Sequence, residues 1–222
     1  MRMWATAMLQ EALNTALGKY TLSLAEQPQQ AAERAELRDK ITSRKQEIQR
    51  LRGIVRSLYE NLISIIQDMP EYALVVHWCM MMASYPVFVD MCKLIGRLSE
   101  FQDEISLSQI KQKLYDEWGE RTTLYHSIDK LISTLKELNV LSSDRPGKYK
   151  IVKHAVQNNR VSVFMIYAMM LIGDSGYYSF ADLSNAVFFY PFEYQIEKEL
   201  ILGDSRFSTN NFGGELSVSV NV

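Results

Sequence analysis

Residues 105–153 read ISLSQIKQKLYDEWGERTTLYHSIDKLISTLKELNVLSSDRPGKYKIVK, and this stretch decides the fold. Ser106 and Gln109 have capping-box spacing, which opens a helix from Leu107 to Trp118 that Gly119 ends. Arg121-Thr122-Thr123 opens a longer helix to about Leu138. Its apolar positions Leu124, Ile128, Leu131, Ile132, Leu135 and Leu138 fall within one arc of about 120°. Val140-Leu141 and Tyr149-Lys150-Ile151-Val152 are β-prone, and the turn Asp144-Arg145-Pro146-Gly147 joins them into a hairpin. Helix, glycine turn, long helix and small hairpin is the order of a winged helix-turn-helix, here spanning residues 103–155.

Upstream, the pattern is helical throughout. Met3 to Tyr20 has helical spacing, and Glu26 to Gln30 reads as a break. Periodicity resumes at Ala31. Ser43 with Gln46 offers a second capping box, which would start a helix from Arg44 to Gln67. Met69-Pro70 ends that helix, Glu71 to Ser84 forms a very apolar one, and Pro86 starts another to about Phe101. Residues 1–102 are therefore expected to form a helical bundle. The apolar run from Tyr72 to Val89 contains His77 and Pro86 and is too interrupted for a membrane span of about 20 apolar residues, so it reads as a buried core helix. Cys79 and Cys92 sit in these apolar runs as buried free thiols, in keeping with a reducing cytoplasm. No secretory signal is visible at the start, where Gln10 and Glu11 interrupt the apolar stretch.

Downstream, residues 156–222 carry an echo of the winged-helix order. Val161 to Ile172 is an apolar helix, Ser179 caps Phe180 to Val187, and Pro191 is placed to start a helix from Phe192 to Leu202. Arg206–Thr209 and Glu215–Val220 are strand-like around a turn. The fold expected is mainly α: an N-terminal bundle, a winged helix-turn-helix, and a helical unit ending in a β-hairpin that reads as a second winged-helix-like unit.

The 222 residues are 47% hydrophobic, enough for a real core, with a formal net charge of −2. That average hides a division. Residues 161–222 hold two cations, Lys198 and Arg206, against seven carboxylates, and the rest of the chain is +3. Such asymmetry points to different surfaces for different partners. The third helix of the acidic unit, with Glu193, Glu197 and Glu199, would repel phosphate and suits docking to a partner subunit or to a second copy.

Two constellations favour nucleic acid. On the face of the long helix opposite its apolar arc stand Thr122, His126, Asp129, Lys130, Ser133 and Glu137, with Arg121 and Thr123 at the start, where backbone N–H groups favour phosphate. The hairpin adds Arg145, Lys148 and Lys150, with Lys153 just beyond. Asp129 and Glu137 argue instead for a face that binds protein. The second constellation is Arg34 to Arg56, with eight cations against three acids. Lys45, Gln49, Arg52 and Arg56 share one helical face, joined by Arg34 and Arg38 if the helix is unbroken from Ala31. Such a stripe suits a phosphate backbone, although a charge run is also what a solvated face looks like. The three histidines His77, His126 and His154 lack partners at metal-ligand spacing, and there is no phosphate-cradling glycine loop and no nucleophile elbow. The chain therefore reads as non-enzymatic, without metal or cofactor.

The order of these parts, with Arg50-Leu51-Arg52-Gly53-Ile54-Val55-Arg56, Tyr85-Pro86 before Phe88-Val89-Asp90-Met91, a Trp-containing helix, and Leu135-Lys136-Glu137-Leu138-Asn139-Val140-Leu141, resembles the small A-component of the BREX phage-defence systems. The resemblance covers roughly Ser43 to Val152. It implies a helical bundle joined to a winged helix that binds duplex DNA without catalysis, beside other defence subunits in the cytoplasm. The family has also carried an inner-membrane label, which the Tyr72 to Val89 reading does not support. The acidic C-terminal extension departs from the family pattern. The alternative from another class is an assembly scaffold whose winged helix binds protein.

Overall fold

In the computed structural model the described residues are 31–173, 175–212 and 215–221. The helix expected from Met3 to Tyr20 and the break at Glu26 to Gln30 lie outside them. The chain divides into two units between Gly53 and Ile54. That point lies inside one helix, α1 (Ala31–Asp68), of 38 residues. The capping box expected at Ser43 does not form. Thr42 donates its hydroxyl to the Arg38 carbonyl at 2.8 Å, so the Thr-Ser pair is accommodated within the helix. Ile54, Leu58 and Ile65 are its buried positions. A 3-10 turn, Pro70–Tyr72, follows.

Helix α2 (Ala73–Ser84) is apolar nearly all round because it is surrounded: Val75, Val76, Trp78, Cys79, Met82 and Ala83 are buried, while His77 is exposed. Trp78 is the centre of the core. Its ring meets Phe88, Tyr190 and Phe192 edge-on at 5.0–5.5 Å, and its indole N–H donates to the Phe188 carbonyl at 3.1 Å. Pro86 starts α3 (Pro86–Ser99) after a bend of 119°. No single described helix is long and apolar enough to cross a membrane, although the bent pair 70–84 and 86–99 together passes on length and composition. Gly96 is where α3 meets the 3-10 turn Val187–Phe189: a Cβ there would stand 2.2 Å from the Val187 carbonyl oxygen.

Next come β1 (Ile105–Ser106), α4 (Leu107–Trp118), α5 (Thr122–Glu137), β2 (Leu141–Arg145) and β3 (Lys148–Ile151). The Ser106/Gln109 capping box is present. Gly119 and Gly147 take φ of +77° and +72°, conformations that only glycine adopts without strain. Ile110 and Leu114 of α4 pack with Leu124, Ile128, Ile132 and Leu135 of α5, and Val140, Leu141 and Tyr149 close the layer. The three strands form one antiparallel sheet in the order β1-β3-β2, with Ile105 opposite Tyr149 and Ser106 opposite Lys148. A bulge lies between Ser142 and Arg145. The two-residue β1 is a feature that the sequence reading assigned only as a helix cap.

The third segment differs from expectation in its helix boundaries and in its short strands. After β4 (His154–Val156), α6 (Asn159–Ile172), β5 (Tyr178–Ser179) and α7 (Phe180–Ser184), Pro191 does not start a helix. Residues Phe192–Tyr194 form β6, parallel to β4, with His154 opposite Phe192. Phe192 is pinned against Trp78, and the His154 amide donates to the Pro191 carbonyl at 2.7 Å, so packing overrides local helix preference. Only α8 (Lys198–Leu202) remains helical, so Glu193 lies on a strand. Helix α7 also stops short of Val187. Then β7 (Phe207–Phe212) and β8 (Glu215–Val220) close into a hairpin on their own chain, in a sheet ordered β5-β8-β7.

The two sheets share a plan. In each, a two-residue strand ends in a serine that caps the next helix by a capping box, Ser106 with Gln109 and Ser179 with Asp182. Each short strand pairs antiparallel with the second strand of the later hairpin. Among the described residues the architecture is mainly helical, with three small sheets.

Candidate nucleic-acid interface

Helix α5 is amphipathic, and its apolar arc is taken up by α4 and the sheet. Thr122, Thr123, His126, Lys130, Ser133 and Glu137 are left exposed. Arg121 is the N-cap and makes no side-chain cap bond; its guanidinium instead donates to the Trp118 carbonyl at 2.7 Å. That contact ties the start of α5 to the end of α4. Ser127 returns its hydroxyl to the Thr123 carbonyl at 2.8 Å, and the His126 ring sits edge-on to Tyr125.

Asp129 belongs to this face by helical arithmetic, but its charge is answered. Lys111 of α4 places its ammonium 2.7 Å from the Asp129 carboxylate and 3.6 Å from the centre of the Tyr125 ring. Burial pulls the Lys111 ammonium down, and hydrogen bonds and charge from Asp129 and Tyr125 outweigh it, so the balance lies above its ordinary value. The sequence reading did not single out Lys111. Helical phasing of α4 alone would put it near the boundary of the buried stripe, and only the packing of α4 on α5 gives it a partner.

The hairpin brings Arg145, Lys148 and Lys150 to one sheet. Two of the three are engaged by acids. Arg145 meets Glu104 at 2.9 Å, and Lys150 meets Asp144 at 2.6 Å and Glu104 at 3.7 Å. The Lys150 ammonium holds the Asp144 carboxyl below the usual range, by hydrogen bond first and charge second. Lys148 is exposed and has no ion pair among the described residues. Lys153 turns away: its ammonium donates to the Tyr190 carbonyl at 2.8 Å.

Lys45, Arg52 and Arg56 are all exposed on α1. Arg56 belongs to the unit that begins at Ile54; Lys45 and Arg52 belong to the other.

The C-terminal sheet unit has a contrasting surface. Asp182, Glu193, Glu197 and Glu199 are exposed. Its three cations make contacts within the fold, Arg160 with Asp68 at 2.9 Å. Arg206 binds Asp204, donates to Asn61 of α1 at 3.1 Å and lies over the Tyr167 ring, while Lys198 stands 5.4 Å from the Phe180 ring centre.

Among the described residues, no three His, Cys, Asp or Glu side chains converge to hold a metal ion. Near the start of α5 is a small open cavity of about 320 Å³ lined by Tyr115, Glu120, Arg121, Thr122 and Tyr125. No protein-family model matches the chain, no curated protein matches it in sequence, and no solved structure matches its fold.

Proposed function

We propose that residues 105–151 are a winged helix-turn-helix whose recognition helix is α5, and that the chain is a non-enzymatic protein that binds duplex DNA. The observation that carries this reading is the Lys111–Asp129 pair. With Asp129 answered by Lys111, the middle of the exposed α5 face offers His126, Lys130 and Ser133, groups that donate to base edges or phosphates. The strand order β1-β3-β2 gives the wing its usual support, a hairpin laid beside a short strand ahead of the first helix of the motif. Arg121, Thr122 and Thr123 at the helix start and Lys148 on the wing supply backbone contacts. Lys45 and Arg52 of the unit that ends at Gly53, and Arg56 of the unit that begins at Ile54, are exposed cations suited to further phosphate contacts.

The α6–β8 region, 159–220, repeats the plan with an acidic surface and a recognition-helix counterpart of only five residues, Lys198–Leu202. It is the part suited to protein, either another subunit or a second copy. With the resemblance to the BREX A-component, this makes the chain an accessory subunit of a cytoplasmic anti-phage system. Neighbouring genes for a methyltransferase, an ATPase and a phosphatase-like protein are the expected genomic context.

The second reading, an assembly scaffold whose winged helix binds protein, is favoured by Glu137 on the α5 face and by the engaged state of Arg145 and Lys150. Substitution separates the two. Under the DNA reading, Arg52→Ala with Arg56→Ala weakens duplex binding and flattens its dependence on log salt by roughly 0.9 per lost phosphate contact. Lys130→Ala costs about 1–3 kcal/mol of affinity if it reads a base. Under the scaffold reading none of these changes affects a nucleic-acid complex, because none forms.

A further inference from the structure

The wing carries its own counterions, and the sheet register puts them there. Ile105 pairs with Tyr149 and Ser106 with Lys148, so continuing that antiparallel register one step sets Glu104 across from Lys150. On the other side of β3, Ser142 is opposite Lys150 and Arg145 is opposite Lys148, with a bulge between them that contains Asp144. As a result Glu104 contacts both Arg145 and Lys150, and Asp144 contacts Lys150 a second time. Two cations and two carboxylates cancel. Arg145 is 70% exposed and Asp144 68%, whereas Glu104 is only 28% exposed. Glu104 is thus the more buried member, next to the strand that follows it, and Arg145 is the more solvent-exposed.

Given the DNA reading above, on which this inference rests, we propose that Glu104 and Asp144 occupy Arg145 and Lys150 in place of phosphate and thereby set the affinity of the wing for DNA. The wing releases these cations only to a phosphate array dense enough to outcompete two carboxylates. Exposed ion pairs are weak, so the exchange is accessible. It is also costly in a specific way. Each carboxylate left behind faces the polyanion, repels it, and retains a counterion that would otherwise have been released. The wing cations therefore contribute less to binding, and less to its salt dependence, than their number suggests. Lys148, which has no such partner among the described residues, contributes fully.

The test is duplex binding by the intact chain and by Glu104→Gln with Asp144→Asn, measured by fluorescence anisotropy over a salt series. The variant is expected to bind roughly twofold to thirtyfold more tightly, the range two exposed ion pairs span. Its plot of log affinity against log salt should be steeper by up to about 0.9 per unmasked cation. A cycle adds a reading that does not depend on the double variant: Arg145→Ala should weaken binding little in the natural chain and several-fold more in the Glu104→Gln background. If the natural chain binds duplex and the variant binds no tighter, with the same slope and the same cost for Arg145→Ala in both backgrounds, the inference fails and the DNA reading stands. If neither protein binds duplex at low salt, the DNA reading fails and takes the inference with it.

Discussion

Lys111 and Asp129 join α4 to α5 at 2.7 Å, with the same ammonium 3.6 Å from the centre of the Tyr125 ring. One residue therefore fixes the α4–α5 packing and removes a carboxylate from the face proposed to meet DNA. Lys111→Met should cost about 1 kcal/mol in urea unfolding at neutral pH, the sum of a partly shielded ion pair and a cation–π contact. The Lys111 ammonium is raised above its ordinary 10.5 in the folded chain. Its contribution is then fully present below that value and is lost as pH rises through the higher folded value. The stability difference between the natural chain and Lys111→Met should shrink above about pH 10.5; a difference that holds constant into the alkaline range would contradict the assignment.

Gly96 and Gly53 make a matched pair of helical glycines with opposite surroundings. A Cβ at Gly96 would stand 2.2 Å from the Val187 carbonyl oxygen, and backbone cannot swing aside as a side-chain tip can. A Cβ at Gly53 meets nothing within 4 Å. Gly96→Ala should destabilise by about 1–3 kcal/mol or more by forcing α3 away from the Val187–Phe189 turn. Gly53→Ala should stabilise by up to about 1 kcal/mol from helix propensity alone. Thermal unfolding of the two variants measures both, and equal midpoints would refute the close approach.

Cys79 and Cys92 are wholly buried, and burial pushes both thiols well up, Cys92 with added repulsion from Asp90. Since the thiolate is the reactive form, neither should react with an aromatic disulfide reagent in the folded chain at pH 8. Both should react together on addition of denaturant, at a rate set by unfolding. Prompt labelling of either thiol without denaturant would show that the α2–α3 core opens locally.

Much of the helical frame was legible in the sequence because its signals are local. The Ser106/Gln109 box, Gly119, the apolar arc of α5 and the Pro146-Gly147 turn each act within a few residues, and each stands where the pattern put it. Failures came where distant packing decides. A two-residue strand such as β1 has no periodicity to detect, and it exists only because β3 accepts it. Pro191 carries a helix-start signal, but Phe192 is held against Trp78 and continues as a strand beside β4. Ser43 carried a cap signal as well, but it lies inside a helix that runs unbroken from Ala31 to Asp68, so no helix starts there for it to cap. The candidate site divides the same way. The cations of α5 and the hairpin were visible one by one. Their partners were not: Glu104 lies 41 residues before Arg145 and meets it only through sheet register. Lys111 meets Asp129 only through helix packing.

The central claim is that this chain binds duplex DNA mainly through phosphate contacts, with modest help from base edges. The most direct measurement is the dissociation constant of the intact chain for a short duplex at several salt concentrations. Binding should be measurable at about 50 mM salt and weaken linearly in log–log form by about 0.9 per phosphate contact, with several contacts engaged. No binding at low salt, or an affinity indifferent to salt, would contradict it.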